Sequence, residues 1–209
     1  MILNKRQIEA IEEKVKTIES KTVSELVPLI VLRSTPHFGF EVKVIFSITF
    51  LSLFLVALYD ELTVFPLNLS HAFLIFVSLQ FLFLLILKIP RFEKALIHKA
   101  VLAKAVHDRT LIEFHKEKLS ETKHRTGVLL LISLFERRVH VLADTAYRGV
   151  ISTEEWKKIT DHSAKLIAKN QLFEAVIESL DHMEALLVKY FPSAVAHSNE
   201  LNNELKIKK

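Results

Sequence analysis

Two apolar stretches, Val44 to Leu58 and Leu67 to Leu87, stand inside an otherwise charged chain of 209 residues, with a short acidic connection between them. The second, LNLSHAFLIFVSLQFLFLLIL, matches the roughly 20 apolar residues that a helix needs to cross a ~30 Å hydrocarbon core. Asn68, His71 and Gln80 are its strong polar interruptions. The first, VIFSITFLSLFLVAL, reaches spanning length when Phe38 to Lys43 extend it and Lys43 snorkels to the headgroups. A buried core helix or a re-entrant segment is the competing reading, but the short connection returns the chain directly into a clear span. The expectation is a transmembrane hairpin with spans at about 42–59 and 67–87.

Cations set its orientation, because cytoplasmic flanks keep Lys and Arg and translocated loops lack them. Arg33 and Lys43 precede the first span, Lys88, Arg91 and Lys94 follow the second, and the connection from Tyr59 to Asn68 carries none. Both termini are therefore predicted to be cytoplasmic, with the hairpin itself as the insertion signal, since no cleavable apolar region lies in the first forty residues. The absence of cysteine excludes disulfides, thiolate catalysis and thiolate metal sites. A net charge of +4 spread along the chain, with most of the fifteen phenylalanines in apolar patterns, argues against nucleic acid as a partner.

The rest of the chain reads as one domain divided by the hairpin. Asn4 can cap a helix to about Ile18, with Ile8, Ile11, Val15 and Ile18 on one face. SELVPLIVLRS has the branched apolar density of a strand, and Pro28 within it favours an edge position or a bulge. Arg91 to about Lys123 reads as one long helix, uninterrupted by Gly or Pro. GVLLLISLF suits a strand buried on both faces, and Glu136-Arg137-Arg138 turns it into a further strand, Val139 to Ala143. Ser152 or Thr153 starts a helix with Glu154 and Glu155 in its first turn, and a last helix runs from about Gln171 to Tyr190, before Pro192. The segment from Ser193 reads as a frayed polar tail.

GVLLLISLFERRVHVLAD with the preceding Thr126, and the N-terminal IESKTVSEL, resemble the TPM domain family, specifically its short bacterial membrane-bound members. The resemblance implies an α/β/α sandwich with a small mixed sheet, interrupted after its first strand by the two-helix hairpin. In that frame 1–41 supplies the first helix and strand, 42–90 the transmembrane hairpin, 91–192 the remainder of the domain and 193–209 the polar tail. A bacterial inner membrane is the implied location. The Asp-Gly pair and glycine-rich loop common in soluble members are replaced here by Ala143-Asp144-Thr145-Ala146.

Two poles follow if the first two strands are parallel. At one, Arg33, His37, Lys88, Arg91, Arg137 and Arg138 would gather near anionic headgroups, each cation contributing about 1 kcal/mol of attraction. At the other, Glu25, Asp144 and Glu154 or Glu155 would meet, with Glu19 and Thr22 nearby. Carboxylates suit Ca²⁺ or Mg²⁺, and the resemblance implies calcium binding in some members and a phosphatase in one branch; helix capping and solvation explain the same acids. The ten histidines form no HExxH or close pair and read as surface residues. No nucleophile elbow, P-loop or dinucleotide fingerprint is present. The expected function is a non-enzymatic interaction or assembly module anchored in the lipid bilayer, its partner another membrane protein or a second copy. The alternative is a divalent-metal-dependent phosphatase.

Overall fold

The computed structural model describes residues 3–36, 38–62, 68–87, 89–193 and 200–208, with the side chains at 38–43, 60, 69, 87, 90 and 91 also outside the description. The chain forms two compact units: Met1–Thr35 with Leu102–Lys209, and Pro36–Val101.

In the first unit, helix α1 (Lys5–Lys21) starts at a capping box in which Asn4 and Gln7 satisfy each other's amides. Strand β1 (Glu25–Val31) runs parallel to β2 (Gly127–Ser133), Glu25 opposite Gly127 and Val31 opposite Ser133. A turn carrying Arg137 at φ 52° sends β3 (Arg138–Ala143) back antiparallel to β2. β4 (Lys206–Lys208) lies parallel along the other side of β1, so the order is β3-β2-β1-β4.

Alternate residues of a strand face opposite sides. Leu26, Ile30, Val128, Leu130 and Ile132 join Ile11, Val15 and Ile18 of α1, and residues of α6 (Thr153–Ala168) and α7 (Leu172–Tyr190), in one core. Val27, Leu29, Val31, Leu129 and Leu131 form a second core with Val106 and Phe114 of α5 (Lys99–Lys116). Both faces of β1 and β2 are dry, which is why their sequences are unbroken apolar runs rather than alternating ones. Helices on both faces of a four-stranded mixed sheet give the layered α/β arrangement expected from the sequence.

Three expectations are corrected. Pro28 sits in an interior strand, not at an edge or bulge, because β1 is flanked by β2 and β4. Glu25 donates its amide towards β2, to the Thr126 carbonyl, so the amides of even-numbered residues point the other way; Leu26 donates to the Glu19 carboxylate and Leu32 to Lys208. The missing N–H of Pro28 therefore lies on the β4 side, just short of where β4 pairing begins at Leu29, and breaks no ladder bond. The single long helix from Arg91 is interrupted: α4 (Pro90–Leu96) ends before Ile97, which takes an extended conformation, and α5 begins after His98, whose carbonyl accepts the Val101 amide. Ile97 is buried, so the break tucks in an apolar side chain. Finally, the segment from Ser193 is not a frayed tail in its described part, since it supplies β4 and buries Asn203. Lys206 and Lys208 can sit against the sheet because Glu117 binds both and Glu113 binds Lys208, with Lys208 Nζ 2.6 Å from each carboxylate.

The second unit contains α2 (Phe38–Leu62), α3 (Leu69–Leu87) and α4. Between α2 and α3, Ile48, Leu51, Leu55, Leu79, Leu82 and Phe83 line an apolar groove of about 210 Å³, and Gln80 Nε2 donates to Ser52 Oγ across it at 2.9 Å. This explains the polar interruption at Gln80: it has a partner on the other helix. Among the described residues no helix is long and apolar enough to cross a membrane. Of the two spans expected at about 42–59 and 67–87, residues 42–59 and 69–87 are helical, in α2 and α3, but no membrane crossing is shown; residue 67 lies outside the described residues.

Candidate functional site

Parallel pairing of β1 with β2 does create two poles in the first unit. At the C-terminal ends of these strands, the Leu134 and Phe135 amides bond back to the carbonyls of Val31 and Leu32. The Arg33 guanidinium lies 3.9 Å from the centre of the Phe135 ring, and its Nε donates to the Thr35 carbonyl. Arg137 is exposed and Arg138 half-buried at the same turn. Three of the predicted basic residues therefore share this pole; His37, Lys88 and the Arg91 side chain lie outside the described residues.

The turn also holds a carboxylate that sequence reasoning passed over. Glu136 is only 2% exposed, and accepts from the amides of Ser34 and Thr35 (2.8 Å for Thr35), from Thr35 Oγ1 and from Ser133 Oγ. Burial alone would raise its pKa, but these hydrogen bonds outweigh it and hold the group below the usual carboxylate range. Glu136 thus clamps the strand that leads into Pro36 to the β2–β3 turn. Its signal was the Ser34-Thr35 pair, two donors following a buried strand with no partner in sequence.

At the other pole the predicted acids have separate employments. Glu25 accepts the amides of Glu200 and Leu201 at 3.1 and 3.3 Å. Asp144 accepts the Thr145 amide and lies 3.1 Å from Arg125 Nε. Glu154 is exposed in the first turn of α6, while Glu155 closes the capping box with Ser152. Among the described residues no group of three or more His, Asp or Glu side chains is placed to hold a metal ion. The donors expected for Ca²⁺ or Mg²⁺ do not fit: a guanidinium takes the second oxygen of Asp144, and backbone amides take both oxygens of Glu25.

Glu19 is the more perturbed acid here. It accepts the Leu26 amide at 2.9 Å and the Asn203 side-chain amide, yet burial, reinforced by the charge of Glu25, pushes its carboxyl up to about 7. A raised carboxyl favours the folded state fully below its unfolded value near 4.5, and that contribution is lost as pH rises through 7. Glu19→Gln is expected to flatten the decline in urea midpoint between pH 5 and pH 8, by on the order of 1–2 kcal/mol. An unchanged slope would remove Glu19 as its source.

Beside Asp144 opens a cleft of about 530 Å³. Leu111, Phe114, Leu142 and Trp156 give it apolar walls, and Arg125, His115, Arg148 and Thr153 its polar groups, while Glu25 and Glu154 do not line it. Tyr147 closes the inner side, its hydroxyl bonded to the Thr126 carbonyl at 2.9 Å and its ring against Trp156 and Phe191. Arg148 and Gly149 follow on a turn whose Gly149 stands at φ 78° with open space where a Cβ would point. His115 is exposed, as read from the sequence, and also lines this cleft, a placement that only the fold reveals.

No curated protein matches the chain. The NMR structure of the BA42 protein from the psychrophilic bacterium Bizionia argentinensis matches it with a TM-score of 0.60 and 15% identity, covering 98% of this chain and 94% of that one. This is a likeness of fold. Residues 87–186, from the end of α3 into α7, match the family model of the TPM domain. Strands β2 and β3, with the segment GVLLLISLFERRVHVLAD, lie inside these residues, and over them the chain is similar to the TPM domain.

Proposed function

We propose that this chain is an integral protein of a bacterial inner membrane, whose α2–α3 hairpin holds a cytoplasmic TPM domain that serves as a non-enzymatic interaction or assembly module. The observation that carries the reading is the outer surface of the hairpin. Phe46, Phe50 and Phe54 recur every four residues along α2 and are 71%, 76% and 56% exposed; Phe73 and Phe81 on α3 are 63% and 64% exposed. Side chains of this size each gain about 1.5–3 kcal/mol on leaving water, so such a surface calls for an apolar solvent. Lipid is the covering that also accounts for the cation-free connection and the basic flanks. Arg33, Arg137 and Arg138, at the pole from which the chain runs into Pro36, suit anionic headgroups. The prior engagement of Glu25 and Asp144 favours a binding role over a metal-dependent phosphatase.

The chain has no native cysteine, so single cysteines report cleanly. In spheroplasts, Glu61→Cys is expected to react with a membrane-impermeant maleimide, and Lys123→Cys only after lysis. Labelling of both in intact spheroplasts, or of neither, would overturn the topology. Release of the protein from membranes by alkaline carbonate would overturn the integral anchor.

A further inference from the structure

We infer that the cleft between α5, β3 and the start of α6 is a binding site for a small amphiphilic anion, an apolar and preferably flat body carrying one carboxylate or phosphate. This goes beyond the anchored-module reading and does not depend on it. The charges inside the cleft leave a remainder. Arg125 and Asp144 neutralise each other at 3.1 Å. Arg148 is exposed, and among the described residues neither its guanidinium nor the His115 ring has a hydrogen-bond or ion-pair partner. An unpaired guanidinium at the mouth of a site offers a planar fork of donors matched to carboxylate and phosphate oxygens. Most of the interior is apolar, which a bare inorganic ion cannot use and an organic body can. The open face of Gly149, next to Arg148, leaves the backbone approachable where the anionic head would lie. At about 530 Å³ the cleft has the size of an ordinary small-molecule site. A divalent cation is the wrong sign for what remains unpaired.

The test uses Trp156, the only tryptophan of the chain and a wall of the cleft, as reporter. Full-length protein in a non-ionic maltoside micelle is titrated with phenyl phosphate and benzoate, and with benzyl alcohol, inorganic phosphate and Ca²⁺ as contrasts. A saturable change in Trp156 fluorescence is expected with the aromatic anions, and the tighter of the two names the head group. Arg148→Gln should weaken it about tenfold, Arg148→Lys should recover part of the loss, and His115→Gln should weaken it less. Both positions lie outside the sealed core, and the circular dichroism of each variant establishes its folding. Equal response to benzyl alcohol, an unaltered affinity in Arg148→Gln, or saturation by Ca²⁺ with none by the anions would each overturn the inference.

Discussion

Glu136→Ala is expected to lose about 3 kcal/mol of stability in the first unit, the range for deleting a buried charged acceptor and orphaning its donors. Two backbone amides and two hydroxyls converge on this one carboxylate, and water cannot replace it at 2% exposure. Glu136→Gln keeps the shape and two acceptor lone pairs, so a smaller loss of about 1–2 kcal/mol is expected. The pH dependence has a definite sign. A carboxyl held below its usual pKa contributes stability that is present above about pH 4.5 and lost as pH falls through the folded value. The gap between wild type and Glu136→Gln in urea midpoints should therefore be widest near neutrality and shrink in acid. A gap that is constant with pH would mean that Glu136 acts by shape and not by charge.

Gly127→Ala should be as damaging through a different cause. A Cβ at this position would stand 2.3 Å from the Leu119 carbonyl oxygen and 2.9 Å from its carbon, which are backbone atoms that no side-chain rotation can move. The start of β2 is fixed on three further sides, because the Glu25 register, the Asp144 amide bonded to the Gly127 carbonyl and the Thr126 carbonyl bonded to Tyr147 all meet there. Relief must therefore come from displacing the turn at Leu119–Glu121 or the strand, and about 3 kcal/mol is expected, the upper end for overpacking. A melting temperature lowered by roughly 6–12 °C, followed at Trp156, would agree, whereas a shift under 2 °C would show that the turn is free to retreat. Because Asp144 and Arg125 are tied to this strand end, the variant should also disturb the neighbouring cleft.

Much of the architecture could be read from local chemistry. GVLLLIS announced a strand dry on both faces, and Asn4, and Ser152 or Thr153, announced two helix starts, because each signal is written within a few consecutive residues. The features that stayed hidden rest on partners far away in sequence. Lys206-Ile207-Lys208 reads as a solvated tail until Glu113 and Glu117, some ninety positions earlier, are brought against it. Pro28 is acceptable in an interior strand only because β4 stops one residue short of it. Glu25 and Asp144 were legible as acids on one pole but not as acids already in use, since the amides of Glu200 and Leu201 and the Arg125 guanidinium have no fixed spacing from them. Arg148 was legible as a charge, and its place beside Trp156 required the fold.

The neighbours β1 and β2 are interrupted by the whole hairpin: Glu25 and its register partner Gly127 are 102 positions apart. A ribosome delivers β1 early and must make both apolar helices and α5 before β2 emerges, with β4 later still. During that interval β1, whose seven residues are all buried in the finished sheet, has neither of its neighbours. Until β2 has been made, β1 remains a sticky, hydrogen-bond-hungry strand. The sheet's maturation therefore waits on the synthesis of α2, α3 and α5, and β1 is the segment for which a holding chaperone would have most use.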